Sequence, residues 1–300
     1  MGRQLVIGGC GFIGGHIVDR LHDLGHEVAV IDDLSAKENQ DFYFHPDRSA
    51  VTYHIRDISS DNCSELFMGV ETVFHLAARS RIQPTILDPS ECFQVNVVGT
   101  QRVLEWSRMN SVNKLIYSGT SSLYGHQNSI PFQPNMPADC LNPYSMSKWM
   151  GEQVCKLYSQ LYAVPSIVLR YFNVYGPREP LKGKYAPVVG LFKRQRKDGE
   201  PLTVVGDGMQ RRDFTYISDV VNANICAMNM SDASIEFGIY NVGTGVSYSI
   251  NDIVKMVGGK VEYIDARPAE VYETLADIRD TQRDLGWNPT KKLEDMINSY

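Results

Sequence analysis

The sequence predicts an α/β protein: a doubly wound parallel sheet joined to a second, smaller α/β domain. Three observations carry that prediction. Strand-like and helix-like patterns alternate through the first half of the chain, the first strand-like run ends in glycines spaced three apart, and the alternation stops after Tyr175-Gly176-Pro177. Alternation of this kind buries a parallel sheet between two helical layers and leaves a ligand crevice at the C-terminal ends of the strands.

Taken in order, Leu5, Val6 and Ile7 form a short apolar run of the kind that fills a buried parallel strand. Gly8, Gly11 and Gly14 follow it. In this spacing the glycines let the chain turn tightly, admit a pyrophosphate against the backbone and pack the next helix closely, and the anion rests on that helix's first amides. Ile13, Ile17, Val18 and Leu21 recur at helical spacing, Gly25 ends the helix, and Glu27 to Ile31 reads as a second strand. Asp32 closes that strand, where a carboxylate binds the adenosine ribose hydroxyls and repels a 2′-phosphate, with no nearby arginine expected to offset the repulsion. This is the Rossmann-fold pattern for NAD rather than NADP. Val51 to Ile55, Val70 to Leu76, Leu115 to Ser118 and Ser166 to Tyr171 read as further strands, with helices at Pro89 to Asn110 and Pro143 to Tyr162. Beyond Pro177 come a loop from Arg178 to Tyr185, a short helix, a strand at Leu202 to Val205 and the turn Gly206-Asp207-Gly208.

Composition narrows the function classes. The net charge of −6 gives no basic field for nucleic acid or anionic lipid, and Lys193, Arg194, Arg196 and Lys197 read as one solvated helix face. The six cysteines are scattered, without metal-ligand spacing, so free thiols in a reducing compartment and no metal site are expected. No apolar stretch approaches the roughly 18 residues of a membrane span, and no signal-like segment precedes Leu5. The expectation is a cytoplasmic protein without membrane or nucleic-acid partners.

The chemistry-bearing pattern is Tyr144-x-x-x-Lys148, which a helix places on one face, one turn apart. A phenol titrates near 10, so a tyrosinate base at neutral pH needs about 3 units, roughly 4 kcal/mol, of charge stabilisation. Lys148 and an oxidised nicotinamide can supply it. The pair follows Asn142-Pro143, a good helix start, and comes after Tyr117-Ser118-Gly119-Thr120-Ser121-Ser122, a hydroxyl-rich strand end that faces the same crevice. His75 reads as a packed residue at a strand end, not as a catalyst.

With these motifs in hand, the chain resembles the extended short-chain dehydrogenase/reductase family of NAD-dependent nucleotide-sugar epimerases and dehydratases. The matching stretches, in family order, are Gly8 to Gly14, Asp32 to Ser35, Arg56 to Ile58, His75 to Ala78, Asn96 to Thr100, the Thr120 segment, Tyr144 to Lys148, Leu169 to Arg178, Gly206 to Phe214 and Arg267-Pro268. The resemblance implies a dinucleotide-binding domain over residues 1–177 and a nucleotide-sugar-binding domain over 178–300, with segment 216–242 packing back on the first. It makes Thr120 the hydroxyl that holds the sugar O4, Tyr144 the base and Lys148 the ligand of the nicotinamide ribose. Gly8, Gly11, Phe12, Ile13 and Gly14 are implied contacts of the pyrophosphate turn. Asp32, Asp33, Asp57 and Ile58 then serve the adenosine, and Leu76, Ala77, Ala78, Asn96 and Tyr171 the rest of the NAD. Asn173, Arg212 and Arg267 are implied for the diphosphate of the sugar nucleotide, since a guanidinium fork binds phosphate oxygens in pairs, and Arg178 is a further candidate substrate contact. A homodimer formed by two helices of each subunit is a further family expectation.

The resemblance also frames the reaction. Family dehydratases carry Thr-Asp-Glu at the strand end and decarboxylases a Glu at its third position, whereas this chain has Thr120-Ser121-Ser122. Without a group for elimination, the expected outcome is epimerisation at C4 through a transient 4-keto sugar, on a UDP-linked hexose or N-acetylhexosamine. Dehydration, decarboxylation and a non-catalytic NAD-binding scaffold remain as alternatives. Thr274 occupies the position at which, in the family, side-chain bulk limits the C2 substituent, and its small size implies room for N-acetyl.

Overall fold

A computed structural model describes residues 2–37, 44–45, 51–181, 186–231, 236–266 and 271–299. The first half builds β1 (Arg3–Ile7), α1 (Phe12–Asp23), β2 (Glu27–Asp32), β3 (Val51–Ile55) and β4 (Val70–His75). There follow α2 (Ile82–Leu87), α3 (Pro89–Phe93), α4 (Gly99–Met109), β5 (Lys114–Thr120), α5 (Pro143–Tyr162) and β6 (Ser166–Tyr171). The second half adds β7 (Val174–Tyr175), α6 (Val188–Asp198), β8 (Leu202–Val205), β9 (Arg211–Asp213), β10 (Thr215–Tyr216) and α7 (Ile217–Asn229). It closes with β11 (Phe237–Val242), β12 (Ser247–Ser249), α8 (Ile250–Val257), β13 (Val261–Ile264), α9 (Arg279–Leu285) and α10 (Leu293–Met296).

Seven strands form one parallel sheet in the order β11-β6-β5-β4-β1-β2-β3. The chain runs outward from β1 to β3, then restarts at β4 on the other side of β1, and this reversal opens a crevice above β1 and β4. Successive residues of β1 point to opposite faces, so Val6 joins the core under α1 and α7 while Leu5 and Ile7 join the core under α4 and α5. The strands are buried on both faces, which explains their unbroken apolar runs.

Two local features position the site. The stretch expected as one helix from Pro89 to Asn110 is interrupted by a π-helical turn, Gln94–Val98, which turns Asn96 into the interior. The α5 helix starts on a capping box in which the Asn142 side chain accepts from the Ser145 amide at 2.9 Å, with Pro143 in the first turn. That start fixes where Tyr144 and Lys148 stand. From the later part of the chain, β11 returns to pair with β6 across the main sheet, while β8 pairs with β13 next to α6 and α8. Of these later elements, β8 and the start of α8 contribute Thr203, Val205 and Ile250 to the wall of the crevice.

Candidate active site

A cavity of about 570 Å³ runs across the C-terminal ends of β1, β2, β4, β5 and β6. At its centre is the glycine turn. Gly8 has φ +85°, a left-handed conformation, and a Cβ there would stand 2.6 Å from the Ala77 amide nitrogen. Gly14 is required by contact, since a Cβ would stand 2.0 Å from the Gly8 carbonyl oxygen. Gly11 caps α1 without any side-chain hydrogen bond, and apart from the Gly8 carbonyl at 3.3 Å a Cβ on it would meet nothing within 4 Å. The first amides of α1 therefore open onto the cavity as an anion site, which fits the pyrophosphate of a dinucleotide.

On the adenosine side, Asp32 is pinned by the Cys10 amide at 2.9 Å and the Leu34 amide at 2.8 Å, and burial pushes its carboxyl up against the opposing pull of those amides. Asp33 turns to Ser35, accepting from its amide at 3.0 Å and its hydroxyl at 2.6 Å. Asp57 accepts from the Ser59 amide and hydroxyl, both at 2.8 Å, which hold its carboxyl below the usual range although burial opposes them. Phe12, Ile13, Ile58, Leu76, Ala77 and Ala78 also line the cavity.

One residue here escaped the sequence reading. The Arg79 guanidinium reaches Asp33 at 3.4 Å and Glu91 at 2.9 Å and also donates to Ser35, so it bridges the ends of β2 and β4 at the adenosine edge. An arginine does stand beside the β2 carboxylates after all, brought there by the fold rather than by sequence proximity. It follows directly on Ala77-Ala78, which was the available signal. Asn96 is not a lining residue: its amide oxygen accepts from the Arg79 amide at 2.8 Å, while its nitrogen donates to the Arg79 carbonyl at 3.1 Å and the Ser147 hydroxyl at 2.9 Å. It fixes the Arg79 backbone from behind.

Thr120, Tyr144 and Lys148 meet at the far end of the cavity, beside Ser121, Ser122 and Arg81. Burial raises the Tyr144 phenol, while a hydrogen bond with Thr120 and the charge of Arg81 pull it down. Lys148 is buried, and burial lowers its ammonium to about 8 against the upward pull of Glu152 one turn along α5. Glu152 in turn forms a buried ion pair with Arg170 at 2.7 Å. His75 is fully buried, its Nε2 meets the Thr100 hydroxyl at 2.9 Å, and burial lowers it to about 3, so it is a neutral packed ring as expected. Tyr171 lines the cavity with its hydroxyl held by Asn224 at 3.0 Å.

The opposite wall carries Asn173, Arg212 and Thr274. The Asn173 amide donates to the Asp213 carbonyl at 2.7 Å and the Thr274 hydroxyl at 3.1 Å, and Arg212 donates to the Arg211 and Tyr272 carbonyls at 2.9 and 3.0 Å. Arg178 is placed elsewhere. It pairs with Asp19 of α1 at 2.6 Å, lies 3.3 Å from His16, and is not among the lining residues, so its guanidinium is committed to fastening the loop onto α1. Arg267 lies outside the described residues, as does Glu270 beside it. Among the described residues no group of three or more metal-ligating side chains occurs, and all six cysteines are free thiols.

Comparison with known proteins gives the family. Residues 4–243 match the model of the NAD dependent epimerase/dehydratase family. The chain belongs to that family. It is 35% identical over 300 residues to a protein of Methanocaldococcus jannaschii that carries the provisional name UDP-glucose 4-epimerase, covering 98% of this chain and 95% of the relative. Among solved structures it resembles the UDP-N-acetylglucosamine 4-epimerase of Methanobrevibacter ruminantium in complex with UDP-N-acetylmuramic acid, with TM-score 0.92, 30% identity and coverage of 99% and 96% of the two chains. It is also similar to the UDP-glucose 4-epimerase of Thermus thermophilus in complex with NAD, with TM-score 0.86, 30% identity and coverage of 98% and 96%.

Proposed function

We propose that this chain is an NAD-dependent UDP-hexose 4-epimerase that also accepts UDP-N-acetylhexosamines. One observation carries the reading. The described carboxylates that line the cavity, Asp32, Asp33 and Asp57, stand at the ends of β2 and β3, whereas Tyr144 is accompanied by the hydroxyls of Thr120, Ser121 and Ser122. Elimination at the sugar would call for a further acid or base beside Tyr144. With a single proton-transferring phenol, oxidation and return at C4 is the chemistry these side chains support.

Tyr144 takes the proton of the C4 hydroxyl, Thr120 orients that oxygen through its bond to the phenol, and the hydrogen bond with Thr120 and the Arg81 charge favour the tyrosinate. Bound NAD supplies a hydride acceptor that can give the hydride back. The first amides of α1, Asp32 and Lys148 would hold it, while Asn173, Arg212 and Arg267 would grip the diphosphate. When the proton returns from Tyr144 to a sugar reduced on its other face, C4 is inverted and the mass is unchanged. Similarity to UDP-glucose and UDP-N-acetylglucosamine 4-epimerases supports both the nucleotide and the two sugar classes. The test is to incubate the protein with UDP-galactose, UDP-glucose and their N-acetyl counterparts and to follow mass and C4 configuration. The expected product is the C4 isomer at constant mass. Loss of water or carbon dioxide, or no conversion, overturns the reading.

The same reading assigns residues 1–177 with 216–242 to NAD and the rest of 178–300 to the sugar nucleotide. It also takes the protein to be a cytoplasmic homodimer. Support for the dimer comes from Met109, Leu157, Leu161 and Tyr162, exposed apolar residues toward the ends of α4 and α5, where Arg108 lies 5.6 Å over the Tyr162 ring. Support for the compartment comes from the free thiols, and no described helix is long and apolar enough to cross a membrane. Light scattering of the wild type and Leu161→Glu tests the dimer, which the charge is expected to split.

A further inference from the structure

Lys148 is a cation in a place that does not suit one. Its side chain is buried, and burial works against its charge. What lies under the ammonium is an aromatic ring: Nζ stands 4.1 Å over the centroid of Tyr117, itself fully buried on β5. The ring is fixed from several sides. Its hydroxyl donates to the Lys148 carbonyl at 3.3 Å, and its edge meets the His75 ring with centroids 5.5 Å apart. Space for the hydroxyl under α5 exists because residue 151 is glycine, since a Cβ there would stand 2.2 Å from it. Backbone, ring and ammonium are thus held in one register.

We propose that Tyr117 is a positioning residue for the reaction, its ring face being the seat that holds the Lys148 ammonium in the active site. The face of an aromatic ring is electron-rich, and it attracts a cation most strongly where water is excluded. A carboxylate in the same place would take up a hydrogen bond or a proton of the ammonium, whereas a ring face stabilises the charge without a hydrogen-bond acceptor of its own, so the N–H groups turned away from the ring stay available to a ligand. This inference rests on the epimerase reading of Lys148.

The groups facing Lys148 define the expected pH behaviour. Glu152 and Cys155 face it from α5, Cys92 from α3, His75 from β4 and Tyr117 from β5. The thiols of Cys92 and Cys155 and the Tyr117 hydroxyl are raised and stay neutral near pH 7, and His75 is neutral as well. Glu152, paired with Arg170, is the remaining charge, so the ring is the uncharged counterpart of the ammonium. Losing the ring lowers the pKa of Lys148, moving the alkaline limb of kcat to lower pH. The profile narrows from its alkaline side.

The test compares the wild type with Tyr117→Phe and Tyr117→Leu in the NAD-loaded enzyme, using the pH profile of kcat, together with NAD binding by calorimetry and the melting temperature. Phe is expected to keep kcat within about twofold with both limbs in place. Leu is expected to lose tenfold or more at pH 7, to move the alkaline limb down by about 1 unit, and to bind NAD more weakly. A series of increasingly fluorinated phenylalanines at 117 keeps the size while weakening the ring face, so it decides the matter even where Leu fails to fold. Its expected result is a graded fall. Wild-type limbs in Leu, no trend along the fluorinated series, or a Phe variant as impaired as Leu each overturn the proposal. A wild type that does not epimerise overturns the functional reading instead, while NAD binding along the series still reports on the seat.

Discussion

Replacing Thr274 with tyrosine tests both the sugar subsite and the local architecture, and the structure separates the two effects. The Thr274 hydroxyl accepts from the Asn173 amide at 3.1 Å and from the Asp213 backbone amide at 3.2 Å. Asn173 keeps its second acceptor, the Asp213 carbonyl at 2.7 Å, so the group left orphaned is the Asp213 N–H, on a residue with 0% exposure. An unsatisfied buried donor costs about 1–3 kcal/mol, which predicts a melting temperature lower by roughly 2 to 10 °C. Superimposed on this is bulk. Thr274 lines the cavity, and forcing a larger group against a substituent that already fills the space costs about 1–3 kcal/mol, or roughly a 5- to 150-fold loss. That loss is expected for UDP-N-acetylgalactosamine and not for UDP-galactose. The assay is kcat/KM for both sugars in the wild type, Thr274→Ser and Thr274→Tyr. The ratio between sugars cancels the general loss of stability, and Thr274→Ser keeps the hydroxyl without bulk, so its ratio stays at the wild-type value. An equal loss on both sugars in Thr274→Tyr would refute the placement of Thr274 beside the C2 substituent.

Tyr144→Phe is expected to lower kcat by about 10² to 10⁴ with UDP-sugar and NAD binding intact, and retention of more than a tenth of the rate would remove Tyr144 as the base. The wild type is expected to prefer NAD to NADP because Asp33 and Glu91 occupy Arg79. Asp33→Asn then raises NADP affinity about tenfold and Arg79→Gln in that background abolishes the gain, whereas a gain that survives Arg79→Gln would point to the Asp33 charge itself rather than to release of Arg79. Arg212→Ala should weaken UDP binding by about 1.5–3 kcal/mol in a titration and leave NAD binding unchanged; unchanged UDP affinity would reassign it to the wall. Glu152→Gln leaves Arg170 buried without its partner, at about 3–5 kcal/mol of stability by denaturant unfolding, and withdraws the carboxylate that raises Lys148, so the alkaline limb of kcat moves to lower pH. A limb that stays put would uncouple Glu152 from Lys148.

The fold was legible wherever one local rule decided the structure. Buried parallel strands announce themselves as apolar runs, so Leu5 to Ile7 and Ser166 to Tyr171 fall within β1 and β6, and the Asn142-Pro143 start of α5 follows from capping chemistry alone. Asn96 and Arg79 were not legible in this way. Helical periodicity carries no mark of the π turn that swings Asn96 inward, and the Arg79 bridge joins residues far apart in sequence that only the strand order β4-β1-β2 brings together. Arg178 shows the converse. It sits in a stretch that matches the family, yet its backbone is left-handed at φ +64° and its guanidinium meets Asp19, an acid whose position on α1 no motif announces.

The charges around α5 explain how the end of the cavity at Tyr144 can be buried and still carry an ammonium. Two rungs of the helix, Lys148 and Glu152, are buried, and an isolated charge at either level would be strongly disfavoured. Arg170 neutralises Glu152 through two donors and is itself held by the Tyr124 hydroxyl at 2.8 Å and the Pro134 carbonyl at 3.0 Å, so the pair is closed and spends little of its field on solvent. Lys148 is left half-compensated, by a carboxylate that already has a partner and by the ring of Tyr117. Its ammonium therefore retains unspent hydrogen-bonding and electrostatic capacity directed at the cavity. Tyr144, raised by burial and drawn down by Thr120 and Arg81, is in the complementary condition: protonated by itself near neutrality, so that on the proposed function it needs further favourable charge to act as a base. On the proposed function, such a site would ionise its phenol only when its ligands are in place, and so would confine proton removal to a sugar that is already held.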